Sequence, residues 1–244
     1  MNNKIIYIFS LLCLFILACS NITDLETSTL VNDKEVTRPI IASKPDKKVL
    51  QPTTTAKPDK ESTPIEKIIN IEKGSTARYI IREQLVRWVS EKDVSGETQL
   101  VEGRIIISSE GKLISKGSRF VVNVKSLKSD EPKRDNYIKN NALESNKFPE
   151  VIFEINMMEG LNGPLPTSGE INLKLIGNIT IHGVTKEVAW TLLANIDNEE
   201  ITGIAKTSID FNTFDIKKPS LPFILTLDDT LRLELNFTAK IQNN

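Results

Sequence analysis

Alternating apolar and polar residues dominate the C-terminal two thirds of the chain. The clearest stretch has six apolar residues at every second position, namely Leu231, Leu233, Leu235, Phe237, Ala239 and Ile241. Successive side chains of a strand point to opposite faces, so this stretch predicts a long, half-buried strand. Similar stretches recur at residues 79–81, 103–107, 119–124, 151–155, 173–181, 188–192 and 201–211. Turn signals separate them, as at 160–169 and 197–200, and predict an all-β barrel or sandwich.

One segment of this region lacks the alternating pattern. Between Lys133 and Lys147 the apolar residues Tyr137, Ile138 and Leu143 are spaced for one side of a helix or helical loop. Phe148 and Pro149 follow, and a proline disfavours helical geometry in the residue before it. The sequence therefore predicts a short helical segment between two strands.

The region before the strands has a different composition. Between Ser20 and Lys73 there is no Phe, Trp, Tyr or Gly, and prolines recur at Pro39, Pro45, Pro52, Pro58 and Pro64. Such a stretch buries too little apolar surface to offset chain entropy. We expect a disordered linker over residues 19–74, followed by a folded domain over residues 75–244. Residues 65–71 are mildly apolar and are consistent with a short helix or a docking segment.

The first residues resemble an export signal. Lys4 precedes an apolar run from Ile5 to Leu17, which is short for a helix that crosses about 30 Å of hydrocarbon. The run ends in Leu17-Ala18-Cys19, which resembles the lipobox of bacterial lipoproteins. This implies a signal peptide over residues 1–18 and a lipid anchor on Cys19, holding the protein on the extracytoplasmic face of a bacterial membrane. Two alternatives stay open: an ordinary secretory signal and an uncleaved membrane helix.

Composition argues against several functional classes. The 31 basic and 32 acidic side chains nearly balance, so no nucleic-acid partner is expected. His182 is the sole histidine, and the two cysteines, Cys13 and Cys19, both precede the predicted domain. These are too few ligands for a His/Cys zinc site, and they offer no nucleophile–base pair. We expect no metal, no cofactor and no enzymatic activity.

Three groups of residues in the predicted domain resemble signatures of the YceI-like family. The first group comprises Val124–Asp130, Lys133–Asn136, Lys147–Pro149 and Ile152–Phe153. The second group is Gly177–Lys186, and the third is Thr207–Ile216. The resemblance implies an extended, eight-stranded, antiparallel, lipocalin-like barrel with a helix between strands. Barrels of this family enclose an elongated apolar cavity, and some members bind polyisoprenoids or other long-chain lipids there. Some members of the family form dimers, so the resemblance also implies a second copy of the chain as one expected partner, in a homodimer.

Several residues are candidates for contact with a ligand in such a cavity. The apolar ones are Phe120, Val122, Phe153, Trp190, Phe211 and Phe214, which fit either a cavity wall or a packed core. Lys133 and Arg134 suit a ligand phosphate at the barrel mouth, since guanidinium pairs bidentately with phosphate. The alternative is an internal Arg134–Asp135 ion pair or cap that fixes the helical segment. His182 is a further candidate, although a turn hydrogen bond is its simpler role.

Two functions follow from these expectations. The first is a membrane-anchored binding protein that holds a polyisoprenoid or other long-chain lipid in the barrel. The second is a structural or stress-related interaction protein of the cell envelope, whose barrel is filled by its own side chains. An elongated cavity would favour the first, and a solid interior the second.

Overall fold

The computed structural model describes residues 66–243, so the predicted signal peptide, Cys19 and most of the predicted linker lie outside the described residues. Twelve strand segments within this range form one sheet. They are β1 (Glu66–Ile71), β2 (Thr76–Leu85), β3 (Lys92–Thr98), β4 (Val101–Ser108), β5 (Leu113–Asn123), β6 (Lys128–Ser129), β7 (Glu150–Glu159), β8 (Ser168–Ile181), β9 (Val184–Asp197), β10 (Glu200–Asp210), β11 (Ile224–Leu227) and β12 (Thr230–Asn243).

The twelve segments make eight long strands. β1 and β2 pair with successive parts of β12, so together they are one strand with a break between them. β4 pairs with β1 and β3 pairs with β2, so β3 and β4 are likewise one interrupted strand. β6 follows β5 and pairs with β3, and β11 precedes β12 and pairs with β2. With β7 to β10 these form an antiparallel barrel in chain order, closed by β1 and β2 against β12. The predicted eight-stranded antiparallel barrel is confirmed.

The first strand differs from the sequence expectation. Residues Glu66–Ile71, expected to form a short helix or docking segment, are strand β1, and the sheet begins ahead of the predicted domain start at Ser75. Ile69 pairs with Ile105 of β4, and Ile71 pairs with Ala239 of β12. The segment is six residues long and follows a charged, proline-rich stretch, so local alternation gave a weak signal. Its strand conformation comes from pairing with residues distant in sequence.

The helical segment lies between β6 and β7, as predicted. The α-helix α1 (Pro132–Tyr137) continues into a wider π-type turn over Ile138–Ala142. Pro132 occupies the first turn, where its missing N–H costs nothing, and the Glu131 side chain accepts a hydrogen bond from the Lys133 N–H. Tyr137 and Leu143 pack against the barrel core.

The strand directions define two ends of the barrel. The mouth end carries the β2–β3 connection, α1, the β8–β9 turn and the segment between β10 and β11. The closed end carries the β4–β5, β7–β8 and β9–β10 connections. Near the closed end Ile107 and Ile196 are each 1% exposed, and Leu165 of the β7–β8 connection packs into the same core. A cavity of only about 30 Å³ lies there. Side chains therefore fill this half of the barrel.

Candidate ligand-binding cavity

The mouth half of the barrel encloses a cavity of about 540 Å³. This volume lies within the range of about 300–1,000 Å³ that small-molecule sites occupy. The wall residues of β12 run from Leu231 to Ala239, which corresponds to about 26 Å along the strand at ~3.3 Å per residue. The cavity is therefore elongated, and its shape suits a long, narrow ligand.

The wall is apolar because each strand turns only one face inward. On β2 the inward positions are Ala77, Tyr79, Ile81, Glu83 and Leu85, all of which line the cavity. On β10, Ala205 and Ile209 line it. Of the three small residues Gly203, Ala205 and Thr207 of this strand, only Ala205 lines the cavity. The space beside Gly203 is occupied by Phe237, whose Cζ would lie 2.8 Å from an added Cβ.

A buried ion pair lies at the mouth end of the cavity. The Nη2 atom of Arg134 is 2.9 Å from Oε1 of Glu83, with these side chains only 14% and 7% exposed. The Nη1 atom of Arg134 contacts the Asp130 carboxylate. Burial would lower the pKa of Arg134, but the hydrogen bonds and charges of Glu83 and Asp130 outweigh it and hold this pKa above its usual value. The guanidinium charge is thus already compensated, which weakens the case for a ligand phosphate at Arg134.

Asp135, the other expected partner of Arg134, has a different role. Its Oδ1 atom accepts hydrogen bonds from the backbone N–H of Ser129, at 2.8 Å, and from the Ser129 hydroxyl, at 2.6 Å. Asp135 therefore ties α1 to β6. Arg134 is in an internal ion pair, but with Glu83 and Asp130 and not with Asp135.

Two polar aromatic side chains belong to the cavity wall. Burial raises the pKa of the Tyr79 phenol well above its usual value, so this group is neutral at physiological pH. The indole N–H of Trp190 is buried and has no hydrogen-bond partner among the described residues. Its ring lies 5.9 Å from that of Phe153. Trp190 and the Tyr79 hydroxyl, which is also buried without a hydrogen-bond partner among the described residues, thus each offer a donor in the cavity wall.

Seven of the nine residues predicted for the site line the cavity, namely Phe120, Val122, Lys133, Arg134, Phe153, Trp190 and Phe211. Phe214 does not, because it is fully buried in the core. His182 also lies outside the wall, in the two-residue β8–β9 turn, with φ of 52°. Its ring packs edge-on against Phe148 at 4.9 Å, and its Nε2 is 3.4 Å from Glu144. Neither ring nitrogen of His182 has a hydrogen-bond partner among residues 66–243, so the turn hydrogen bond expected for it is not formed there.

Sequence reasoning missed Tyr79, Glu83 and the mouth residue Val86 as parts of this wall. One signal was available for Glu83, because it occupies an apolar-face position in the alternation of β2. A charged residue at such a position indicates either a buried partner or a functional site. The partner, Arg134, is 51 residues away in sequence, so its identity was not readable from local pattern.

The sequence pattern of the YceI-like domain family matches residues 72–239, nearly the whole barrel. The chain belongs to the YceI-like domain family. Among curated protein sequences, none matches it significantly.

Solved structures with the same fold are distant in sequence. One is a polyisoprenoid-binding domain from Saccharophagus degradans implicated in plant cell wall breakdown, with a TM-score of 0.55 and 10% identity over 71% of this chain and 98% of that chain. Another is BcnA from Burkholderia cenocepacia, with a TM-score of 0.51 and 11% identity over 70% of this chain and 99% of that chain. At these identities the likeness concerns the fold of the YceI-like barrel.

Among residues 66–243, no helix combines the length and the apolar character needed to span a bilayer. Within the same range, His, Cys, Asp and Glu side chains form no cluster of three or more that would hold a metal ion.

Proposed function

We propose that this YceI-like barrel holds a polyisoprenoid or another long-chain lipid in its mouth-half cavity. The observation that carries the proposal is the elongated apolar cavity of about 540 Å³. Burying apolar ligand surface there contributes about 25 cal/mol per Å². The description of the Saccharophagus degradans domain as polyisoprenoid-binding supports the same ligand class.

The alternative is an envelope interaction protein with a filled barrel. The closed half fits that description, because its void is only about 30 Å³. The mouth half does not, since side chains alone leave the larger cavity unoccupied. The cavity therefore favours a binding function over a purely structural one.

The second part of the proposal concerns location. The signal-like residues 1–18 and the lipobox-like Leu17-Ala18-Cys19 support a lipid anchor on Cys19 and an extracytoplasmic position at a bacterial membrane. Acyl chains contribute about 0.8 kcal/mol per buried methylene, so two or more chains anchor a protein stably. Globomycin treatment or Cys19→Ala should cause precursor accumulation or release from the membrane. Unchanged processing with full membrane retention would refute the anchor.

Lipid analysis tests the ligand. The protein would be expressed with its own export signal, purified in mild conditions and extracted with organic solvent, and the extract analysed by mass spectrometry. We expect one long-chain lipid class in near-stoichiometric amount, absent from a control extract of an unrelated lipoprotein. Extracts with only the control's lipids in repeated preparations would contradict the proposal.

A further inference from the structure

Exposed apolar side chains cluster at the barrel mouth on residues 86–92, which are the β2–β3 connection with the first residue of β3, and on residues 216–223. We call these two segments the mouth loops. Val89 is fully exposed, and Val86 and Phe223 are 60% and 52% exposed. The Val86 N–H donates a 3.0 Å hydrogen bond to the Phe223 carbonyl, so the two loops are in contact. Scattered exposed apolar residues are ordinary, but a contiguous group at one end of a protein marks an interaction surface.

This exposed group is continuous with the cavity. Val86, Pro219, Leu221 and Phe223 belong to the cavity wall as well as to the mouth loops. A long-chain lipid that entered from water would first expose its whole apolar surface, at about 25 cal/mol per Å². A lipid that entered from a bilayer in contact with this rim would meet apolar surface throughout. The mouth loops therefore suit contact with a bilayer, which is apolar beneath its headgroups.

The charges of the mouth loops favour an anionic partner. The loops contain four cations, Arg87, Lys92, Lys217 and Lys218, and one carboxylate, Glu91, for a net charge of +3. Glu91 pairs with Arg82, and Lys218 pairs with Asp229. Arg87, Lys92 and Lys217 have no carboxylate within 4.0 Å among the described residues.

Trp88 adds a second feature that is typical of membrane interfaces. The Arg87 guanidinium lies 6.0 Å and the Lys92 ammonium 5.2 Å from its ring. Tryptophan and basic side chains are enriched at the headgroup level of bilayers, and each cation near an anionic surface contributes about 1 kcal/mol. The neighbouring segment 130–139, with three cations and three carboxylates, is balanced and does not oppose this attraction.

The chain outside the described residues is long enough for the mouth to reach the membrane of the proposed anchor. β1 begins at the closed end, and the mouth lies about 63 Å further along the strand, at ~3.3 Å per residue from Glu66 to Leu85. The 46 residues from Ser20 to Ile65 span at most about 150 Å when fully extended. The connecting chain therefore permits an orientation with the mouth towards the bilayer.

We propose that the mouth loops dock on an anionic membrane surface, with Val89 and Phe223 entering its interfacial layer, and that the cavity exchanges its ligand through this contact. The inference rests on the proposed lipid-binding function. It adds the membrane surface as the partner and the mouth loops as the point of entry.

Vesicle co-sedimentation tests the docking. The chain from Ser20 to Asn244, which lacks only the anchor, would be mixed with vesicles of phosphatidylglycerol and phosphatidylcholine or of phosphatidylcholine alone. We expect stronger binding to the anionic vesicles. The double variant Val89→Asp with Phe223→Asp should lower the partition coefficient at least tenfold. Its matched control is Met157→Asp with Leu193→Asp, since these residues are 51% and 50% exposed but lie away from the mouth. The control should bind within twofold of the wild type.

A second comparison separates charge from apolar contact. Arg87→Ala with Lys217→Ala should lower binding to anionic vesicles several-fold and leave binding to phosphatidylcholine unchanged. Absence of wild-type binding to either vesicle, or equal losses in the mouth variant and its control with circular dichroism spectra unchanged, would overturn the docking proposal. Lipid extraction from the same preparations distinguishes the two proposals. Extracted long-chain lipid without vesicle binding refutes the docking alone, whereas vesicle binding with no extractable lipid refutes the lipid-binding function on which it rests.

Discussion

The two halves of the barrel share the same strands and differ in what fills them. Near the closed end, Leu165 of the β7–β8 connection joins the buried core that includes Ile107 and Ile196, and only about 30 Å³ is left empty. Near the mouth, α1 and the mouth loops lie around the rim, and about 540 Å³ stays open. Closure of an eight-stranded sheet permits either interior. The connections at each end therefore decide which half is a core and which is a site.

The two halves of the barrel also differ in whether they contain buried charged side chains. Among the described residues of the closed half no charged side chain is buried, whereas the mouth half contains Glu83 at 5% exposure with its partner Arg134. A buried charge costs several kcal/mol unless it is paired and hydrogen-bonded. Because Arg134 belongs to α1 and Glu83 to β2, their ion pair holds the helical segment on the barrel. The mouth half thus relies on a polar contact where the closed half relies on packing.

Loss of this ion pair should give the largest effect. Glu83→Ala leaves the Arg134 guanidinium buried with Asp130 as its remaining charged partner and a 3.3 Å hydrogen bond to the Ser129 hydroxyl. It should lower the free energy of unfolding by about 3–5 kcal/mol. Asp130→Ala is the control, because the Asp130 side chain is 75% exposed and its pair with Arg134 is worth less than about 1 kcal/mol. Urea denaturation at neutral pH measures both. Equal losses would show that the buried pair does not fix the mouth half.

Identical truncations in the two halves should differ next. Ile196→Ala opens a new void in the packed half and should cost about 3–4 kcal/mol, within the range for large-to-small core changes. Ile209→Ala, at a residue 6% exposed on the cavity wall, removes contacts on one side only and should cost about half as much. Urea denaturation of the two variants in ligand-free form measures both losses in the free energy of unfolding. A larger loss at Ile209 would contradict the assignment of a hollow mouth half.

Enlargement of an alanine should also cost more stability in the closed half, whereas ligand occupancy should fall only with the change in the mouth half. Ala205→Leu extends into the cavity and should change the free energy of unfolding by less than about 1 kcal/mol while lowering ligand occupancy. Ala194→Leu overpacks the closed half and should cost about 1–3 kcal/mol with occupancy retained. Thermal denaturation and lipid extraction of both variants provide the two readouts. Retained lipid in folded Ala205→Leu would place the ligand elsewhere.

The smallest effect concerns alkaline pH. Burial raises the pKa of Tyr79 in the folded state, so its contribution to stability is complete below the unfolded value of about 10 and is lost as pH rises through the higher folded value. Absorbance at 295 nm during alkaline titration, compared with Tyr79→Phe, should show this phenol ionising later than an exposed one. A difference spectrum that titrates near pH 10 would mean that Tyr79 is solvated and the mouth half more open than described.

Local alternation was enough to predict the barrel where strands are long and half-buried. The pattern from Leu231 to Ile241 lies within β12, and that from Leu173 to Ile181 within β8. It was not enough for β3, which reads Lys-Asp-Val-Ser-Gly-Glu-Thr and is held by pairing with β2. The resemblance to the YceI-like family supplied the number and closure of the strands, which no single stretch of sequence specifies.

The site was predictable only in part, for a related reason. Phe120, Phe153 and Trp190 line the cavity, but Phe214 has the same chemistry and is fully buried in the core. Whether an inward side chain faces a void or a neighbour depends on the connections at that end of the barrel. The Glu83–Arg134 pair likewise joins residues far apart in sequence, so its partner choice appears only in three dimensions.

Native mass spectrometry of wild type and Ala205→Leu, each before and after delipidation, tests the central claim most directly. The account predicts that the wild-type mass falls on delipidation by the mass of one long-chain lipid per barrel, and that the folded variant shows little or no such difference. One unchanged wild-type mass throughout, or an equal lipid adduct on both proteins, would contradict a ligand in the mouth-half cavity.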